Sequence, residues 1–479
     1  MTPCGRTRRE FLWETHAGVT GLALASLLAE EGFFRRHALA AEDAGTNLAD
    51  PLAPKTPHFA AQAKSVIFLF MYGGPSQVDL FDPKPILNQK NGQSIDIEVR
   101  KGTVGKGTLL GTPRKFRKYG NSGMEISDLY SNLGRHADDL ALIRSMHADS
   151  FAHGSALIQM NTGTLFQGRP CLGSWSIYGL GTENRNLPGF VVLLDPRGGP
   201  IGGQPNWGAG YMPATYQGTQ LRAQGDPILN LKPRGGITRA EQREQLDYLA
   251  RLNNRHEAER PHDTELAARI ASYELAYRMQ SHATEAVDIS AESAKIQELY
   301  GLNNPRTADF GRKCLLARRL VERGVRFVQI YSGGGHNDEN WDAHGDVDKN
   351  HELHCGETDV PIAGLLTDLK SRGLLDETLV IWTGEFGRMP ISQNGKGRDH
   401  NPKGFSAWLA GGGVKGGTVH GTTDELGYAA ADKPVHVHDL HATILHLLGF
   451  DHTMLTYFHG GREQRLTDVH GKLVREIIA

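Results

Sequence analysis

Cysteine is scarce in this chain. Four are spread over 479 residues, Cys4, Cys171, Cys314 and Cys355, with no CxxC pair. That spacing excludes a zinc ribbon and a dense disulfide framework and leaves room for one disulfide. A basic excess is missing too: Lys plus Arg is 52 against Asp plus Glu 54. Nucleic-acid binders neutralise phosphates with a cationic surface, so DNA and RNA are set aside as partners. No apolar run is long enough to span a bilayer, and no internal repeat is present. The glycines after the first apolar run, Gly73 and Gly74, fit neither GxGxxG nor GxxxxGK[ST], so no nucleotide site is read there. What remains is an ordinary globular composition, 22% charged and 39% hydrophobic, long enough for one large core or two.

The N-terminus carries an address. "TRREFLW" pairs Arg8 with Arg9 ahead of Phe11 and Leu12, and a modest apolar segment follows from Ala17 to Ala29. It looks like a twin-arginine export signal, with "ALA" at Ala38 to Ala40 as the small-residue cleavage site. The expectation is a signal over residues 1–40, a linker over 41–63, and delivery to the periplasm or the exterior by the twin-arginine machinery.

Beyond the linker the pattern alternates strand and helix. "SVIFLFMYGG" reads as a strand buried on both faces, followed by Ser76, Asp79 and Asp82. Residues 86–120 read as a polar surface excursion and Ile126 to Leu133 as a helix. "DLALIRSM" is a second strand, running into a histidine-rich loop and a short helix near Gly154. There His153 and Ser155 stand where a strand, a tight loop and a helix N-terminus hold a nucleophile or an anion; a capping serine beside a surface histidine is the plainer alternative. "GFVVLLD" is a third strand, and an insertion over about 196–305, first loop-rich and then helical, separates it from the rest.

The densest chemistry lies between Val325 and Pro402. A strand from Val325 to Tyr331 breaks on Gly333, Gly334 and Gly335 into a loop carrying His336, Asp338, Asp342 and His344. A helix with Ile362, Leu365, Leu366 and Leu369 inward stops at Gly373, and the strand "TLVIWTGEFGR" ends in Glu385 and Arg388. "GRDHNP" then adds Asp399 and His400. Loops beyond the carboxyl ends of parallel strands converge, so these clusters are expected to share a crevice with Asp79 and His153. Carboxylates with imidazoles suit a divalent metal, Zn or Mn before Ca. Arg388 reads as a clamp for an anionic ester oxygen or as a structural ion-pair partner. Near the end, "HDLHATILHLLG" reads as a helix capped by Asp439.

In this order the motifs "MYGGPSQVDLFDPKP", "HGSALIQMNTG", "NWDAHGD", "TLVIWTGEFGR", "GRDHNP" and "LTDVHGKLVREI" resemble the exported family called domain of unknown function 1501. More distantly they resemble the alkaline phosphatase and sulfatase superfamily. The resemblance implies an α/β fold, an alkaline phosphatase-like sandwich with a mostly parallel central sheet and helices on both faces, over residues 64–479. It implies metal roles for Asp79, Asp342, His344, Glu385 and His400, with Asp338 or Asn340 as alternatives to Asp342. Phe386 stands where those enzymes have a metal histidine, and His153 near where a sulfatase has its nucleophilic Cys or Ser. The implied function is metal-dependent hydrolysis of sulfate or phosphate esters, a sulfated polysaccharide being one candidate substrate. Metal-bound water is the expected nucleophile, with His153 or Ser155 as substitutes. The competing expectation is a non-catalytic exported protein that binds a polymer or a cell-surface partner.

Overall fold

The first apolar run forms β1, Ser65–Met71, with all of its residues buried. Alternate side chains explain why the run is apolar throughout. Val66, Phe68 and Phe70 join the core on one face of the sheet, while Ile67, Leu69 and Met71 join the core on the other. The computed structural model describes residues 51–100, 102–222, 238–258, 273–280, 285–335 and 339–479. The signal expected over 1–40, part of the insertion, and His336 and Asp338 lie outside the described residues.

Around β1 stand β2 (Leu140–His147), β3 (Phe190–Leu193), β4 (Thr219–Leu221), β5 (Phe327–Ser332), β6 (Thr378–Thr383), β7 (Phe405–Ala410), β8 (Thr418–His420) and β9 (Val435–His436). Their order is β8-β2-β7-β6-β1-β5-β3-β4, and β9 pairs with β2 beside β8. Only β7 runs against the rest, between β6 and β2. The sheet is therefore mostly parallel, and β1, β2, β5 and β6 all end at one edge.

Helices cover both faces. On one side α1 (His153–Thr162), α2 (Leu172–Leu180) and a C-terminal helix at Val437–Leu447 contribute Leu157, Trp175 and Leu440 to the core. On the other, α3 (Ala308–Glu322) and α4 (Val347–Ser371) contribute Leu315, Leu316, Ile362 and Leu366. The C-terminal helix is α5. Among the described residues no helix is long and apolar enough to cross a membrane.

Local chemistry departs from the sequence reading in four places. The α4 helix starts at Val347, well before Ile362, because Asp346 caps it by accepting from the Lys349 N–H, and the helix runs through Pro361. Its polar first half, buried through His351, His354 and Thr358, hides the apolar period that a sequence reading uses. Residues Ile126–Leu133 are no helix but the end of a short strand, Met124–Ser127, and 3-10 turns. Asp439 sits at the third position of α5, and His436 is the cap, the two closing a reciprocal capping box. "GRDHNP" is mostly strand: Gly397–Asn401 pairs antiparallel with Gly387–Gln393, setting His400 opposite Arg388.

Buried charge locks α3 to α4. Asp368 lies 2.9 Å from Arg318 Nε and 2.7 Å from Arg372 Nε, and it accepts from the Tyr300 hydroxyl at 3.0 Å. Both Arg318 and Asp368 are almost wholly buried. Arg318 also meets Glu292 at 2.7 Å and Glu322 at 2.8 Å, and Arg372 meets Glu322 at 3.0 Å, so losing Asp368 removes one buried counter-charge of several. Asp368→Ala is expected to lower unfolding stability by about 2 kcal/mol in a urea titration; a loss within error of zero contradicts the assignment.

Candidate metal centre

Three loop ends meet beyond the edge shared by β1, β5 and β6. Gly73 follows β1 at φ +115°, and a Cβ there would lie 2.5 Å from the Asp342 nitrogen and from Asn340 Oδ1. Only glycine allows the loops to close so tightly. Trp341 N donates to Tyr72 O at 2.9 Å, and Asn340 Oδ1 accepts from Asp342 N at 2.8 Å, which fixes the Asp342 backbone. The hairpin after β6 presses on the same loop: Arg398 N donates to Ala343 O at 3.0 Å, and a Cβ at Gly397 would lie 1.8 Å from the His344 carbonyl oxygen.

Arg388 staples these ends. Its guanidinium is fully buried and donates to Gly74 O at 2.9 Å, Arg398 O at 3.0 Å, Trp341 O at 3.2 Å, Gly73 O, and Asp342 Oδ1 at 2.6 Å. With its donors engaged inside the protein, Arg388 is the structural partner rather than a clamp for substrate oxygen.

The Asp342 carboxylate faces three imidazoles. Oδ1 lies 2.8 Å from His344 Nε2 and 2.9 Å from His400 Nε2, Oδ2 lies 3.2 Å from His153 Nε2, and the His344 and His400 Nε2 atoms are 2.9 Å apart. The opposite nitrogen of each ring has its own partner. His153 Nδ1 meets Glu385 Oε1 at 2.6 Å, His400 Nδ1 meets the Phe151 carbonyl at 2.7 Å, and His344 Nδ1 meets Gln393 Oε1. Those partners are acceptors, so each Nδ1 carries the ring proton. Three Nε2 lone pairs are thereby aimed at one carboxylate.

Lone pairs so close repel unless something positive lies between them. His153 Nε2 is buried and makes no aligned hydrogen bond, even though Asp342 is within ion-pair distance. Three imidazole nitrogens and a carboxylate oxygen are the donor set of Zn²⁺ or Mn²⁺, and the ring partners behind them are those that orient metal-bound histidines. His153, Asp342 and His400 each place a donor atom close enough to share one divalent ion, and His344 forms a second such group with Asp399 and His400.

Without metal, protons carry the positive charge. Burial alone would lower the pKa of His153, but the carboxylates of Asp342 and Glu385 outweigh it and push it up to about 9. Burial would raise Asp342, yet the three histidines and Arg388 hold it far below the usual carboxylate range. The bond to Asp342 raises His344, whereas burial lowers His400.

The remaining expected residues fall elsewhere or take other parts. Glu385, expected as a ligand, is buried behind His153 and accepts from Gly73 N at 3.0 and 3.2 Å, so it orients the ring. His153, expected to attack or to transfer protons, turns its Nε2 toward Asp342 Oδ2. Asp79 is buried against Arg398 Nε at 2.9 Å and accepts from Ser76 Oγ, and its charge is met there rather than among the histidines. Ser155 Oγ bonds Ser150 Oγ at 2.6 Å and Ala152 O at 3.2 Å within its own helix turn. Phe386 lays its ring against His400 at 4.6 Å and beside His153 at 4.9 Å between centroids. Gln393 and the Phe151 carbonyl were not read from the sequence at all. The alternation of "GRMPISQ" was the available clue, since a hairpin returning on "GRDHN" brings Gln393 back toward the cluster.

Residues 63–478 match the family described as protein of unknown function (DUF1501). The chain belongs to that family. No curated protein matches it. Among solved structures, this DUF1501 chain is similar to a protein in the alkaline phosphatase superfamily from Vibrio parahaemolyticus, at 10% identity and a TM-score of 0.35, covering 85% of this chain and 71% of that one. It is also similar to a sulfatase from a Pseudoalteromonas species, at 13% identity and 0.35, covering 85% and 70%. A third is the lipoteichoic acid synthase LtaP from Listeria monocytogenes, at 8% and 0.34, covering 88% and 80%. Overlaps of this size carry no argument about site or activity.

Two outcomes test the centre. At pH 7, below the raised pKa of His153, the metal-free ring holds a second proton that a metal must displace. Zn²⁺ binding is therefore expected to release at least one proton, read by calorimetry in buffers of different ionisation enthalpy; zero release contradicts the arrangement. Glu385→Gln is expected to weaken Zn²⁺ binding by roughly 10–100-fold through loss of the carboxylate behind His153. Unchanged affinity in competition with a chelator would separate Glu385 from the site.

Proposed function

We propose that this chain is an exported, metal-dependent hydrolase of sulfate or phosphate esters. The observation that carries the reading is the convergence of three imidazole Nε2 atoms on the Asp342 carboxylate, each ring held by an acceptor at its other nitrogen. Asp342, His153 and His400 would hold the ion, with His344 moving in as the third imidazole, and the nitrogen donors favour Zn or Mn over Ca. When bound, such an ion supplies a Lewis acid that polarises an anionic ester oxygen and lowers the pKa of water. Arg388 fixes Asp342, and Glu385 fixes His153, so little rearrangement is needed when substrate arrives.

Ser155 is not presented to the centre, and the proposal takes water as nucleophile. That same hydroxyl, turned away, favours a second reading: a non-catalytic exported protein that keeps the metal as a structural staple and binds a polymer or cell-surface partner. Turnover separates the two. With Zn²⁺, Mn²⁺ or Ca²⁺ added in turn, the hydrolase reading expects hydrolysis of aryl sulfate or aryl phosphate esters, and His400→Ala should reduce metal content and rate together, the rate by about 100-fold. Full metal content and full rate in His400→Ala would overturn the site; metal binding with no turnover of any ester favours the second reading.

Export rests on Arg8 and Arg9. Replacing both with Lys is expected to leave precursor in the cytoplasm, because guanidinium and ammonium are not interchangeable in recognition. Normal appearance of that variant outside the cytoplasm, in fractionated cells, contradicts the localisation.

A further inference from the structure

The motif "LTDVHGKLVREI" has no part in the metal centre, yet it supplies one wall of a separate cavity of about 410 Å³. His470 and Lys472 come from it, His436, His438 and Asp439 from the start of α5, and Asp149 from the loop after β2. This cavity and the metal centre are neighbours along one edge of the sheet. Asp149 lines the cavity, and Phe151, two residues on, gives its carbonyl to His400. His153 is four positions on from Asp149, so their Cα atoms are at most about 15 Å apart.

The wall has fixed chemistry. His436 Nδ1 accepts from the His438 N–H at 3.2 Å, so its ring proton is on Nε2, which faces Asp149 Oδ2 at 3.1 Å. His438 Nε2 donates to Gly163 O at 2.6 Å, which leaves its Nδ1 an acceptor. Asp439 is committed to backbone N–H groups, from His436 at 3.0 Å and Lys472 at 2.6 Å. The His438 and His470 rings stack at 5.1 Å and 11°, a flat face.

Two carboxylates against one ammonium do not select an anion. A ligand rich in hydroxyls fits better, because each hydroxyl both gives and takes a hydrogen bond. Asp149 and His438 Nδ1 accept, Lys472 and His470 donate, and the stacked imidazoles offer a face for the C–H side of a ring. The volume is that of an ordinary small-molecule site. We infer that this cavity binds one hexopyranose unit of a carbohydrate whose ester group is processed at the metal centre. The word "processed" rests on the hydrolase reading; the cavity itself is tested apart from it.

Saturation-transfer NMR on the full chain, with the methyl glycosides of glucose, galactose, mannose and N-acetylglucosamine as probes, reads binding directly. At least one is expected to receive saturation, with or without EDTA and also in His400→Ala. Binding should weaken about tenfold or more in Asp149→Ala, which loses a charged hydrogen-bond acceptor, and should weaken in Lys472→Ala. Lys472 is exposed, so that variant keeps the test intact should Asp149→Ala fold poorly. No transfer to any of the four probes, or transfer unchanged in both variants, overturns the inference. Glycoside binding without ester turnover rejects the hydrolase reading alone, and turnover without glycoside binding rejects the cavity alone.

Discussion

The carboxylate of Asp342 is the point on which the functional end of this molecule depends. It is mostly buried, and Arg388, His153, His344 and His400 all approach it. A lone buried carboxylate would take up a proton, whereas one surrounded by cations and imidazoles stays charged. That charge needs loops from four places in the chain to end at the same spot. Arg388 secures this by tying Gly73, Gly74, Trp341 and Arg398 through their carbonyl groups. The parallel sheet beneath provides the common edge, and the two apolar cores on its faces provide the rigidity.

Much of this was legible from the residues. Apolar-rich runs at Ser65–Met71, Phe327–Ser332 and Thr378–Thr383 are strands buried on both faces, and their order with intervening helices implies a parallel sheet whose loops gather at one end. That topology led to the expectation that Asp342, His344 and His400 lie together, and their side chains do meet. Roles were harder than places. Glu385, expected as a ligand, lies behind His153, expected as a nucleophile or proton carrier, because which of two neighbouring groups faces a third is set by a long-range hydrogen bond and not by local sequence. Asp79 is a different case. It follows the first strand as a ligand would, but Arg398, hundreds of residues later, meets its charge, and no local pattern announces such a partner.

The hairpin of Gly387–Gln393 and Gly397–Asn401 shows why the remainder was hidden. Its residues are charged and glycine-rich, so it reads as loop, yet its antiparallel register carries His400 and Gln393 to opposite sides of the same site. The second cavity has a similar origin. It joins the end of the chain to the start of α5 and to the loop after β2, elements brought together by the pairing of β9 with β2. Pairing at such distances is set by the sheet as a whole and leaves no periodic trace in any one segment.

The account turns on whether three imidazoles and Asp342 hold one divalent ion. X-ray absorption at the zinc edge, on protein loaded with one equivalent of Zn²⁺, tests this most directly. The predicted result is a shell of about three imidazole nitrogens and one carboxylate oxygen at about 2.0–2.2 Å, with the imidazole contribution falling in His153→Ala. An all-oxygen shell, or an imidazole count unchanged in that variant, would contradict it.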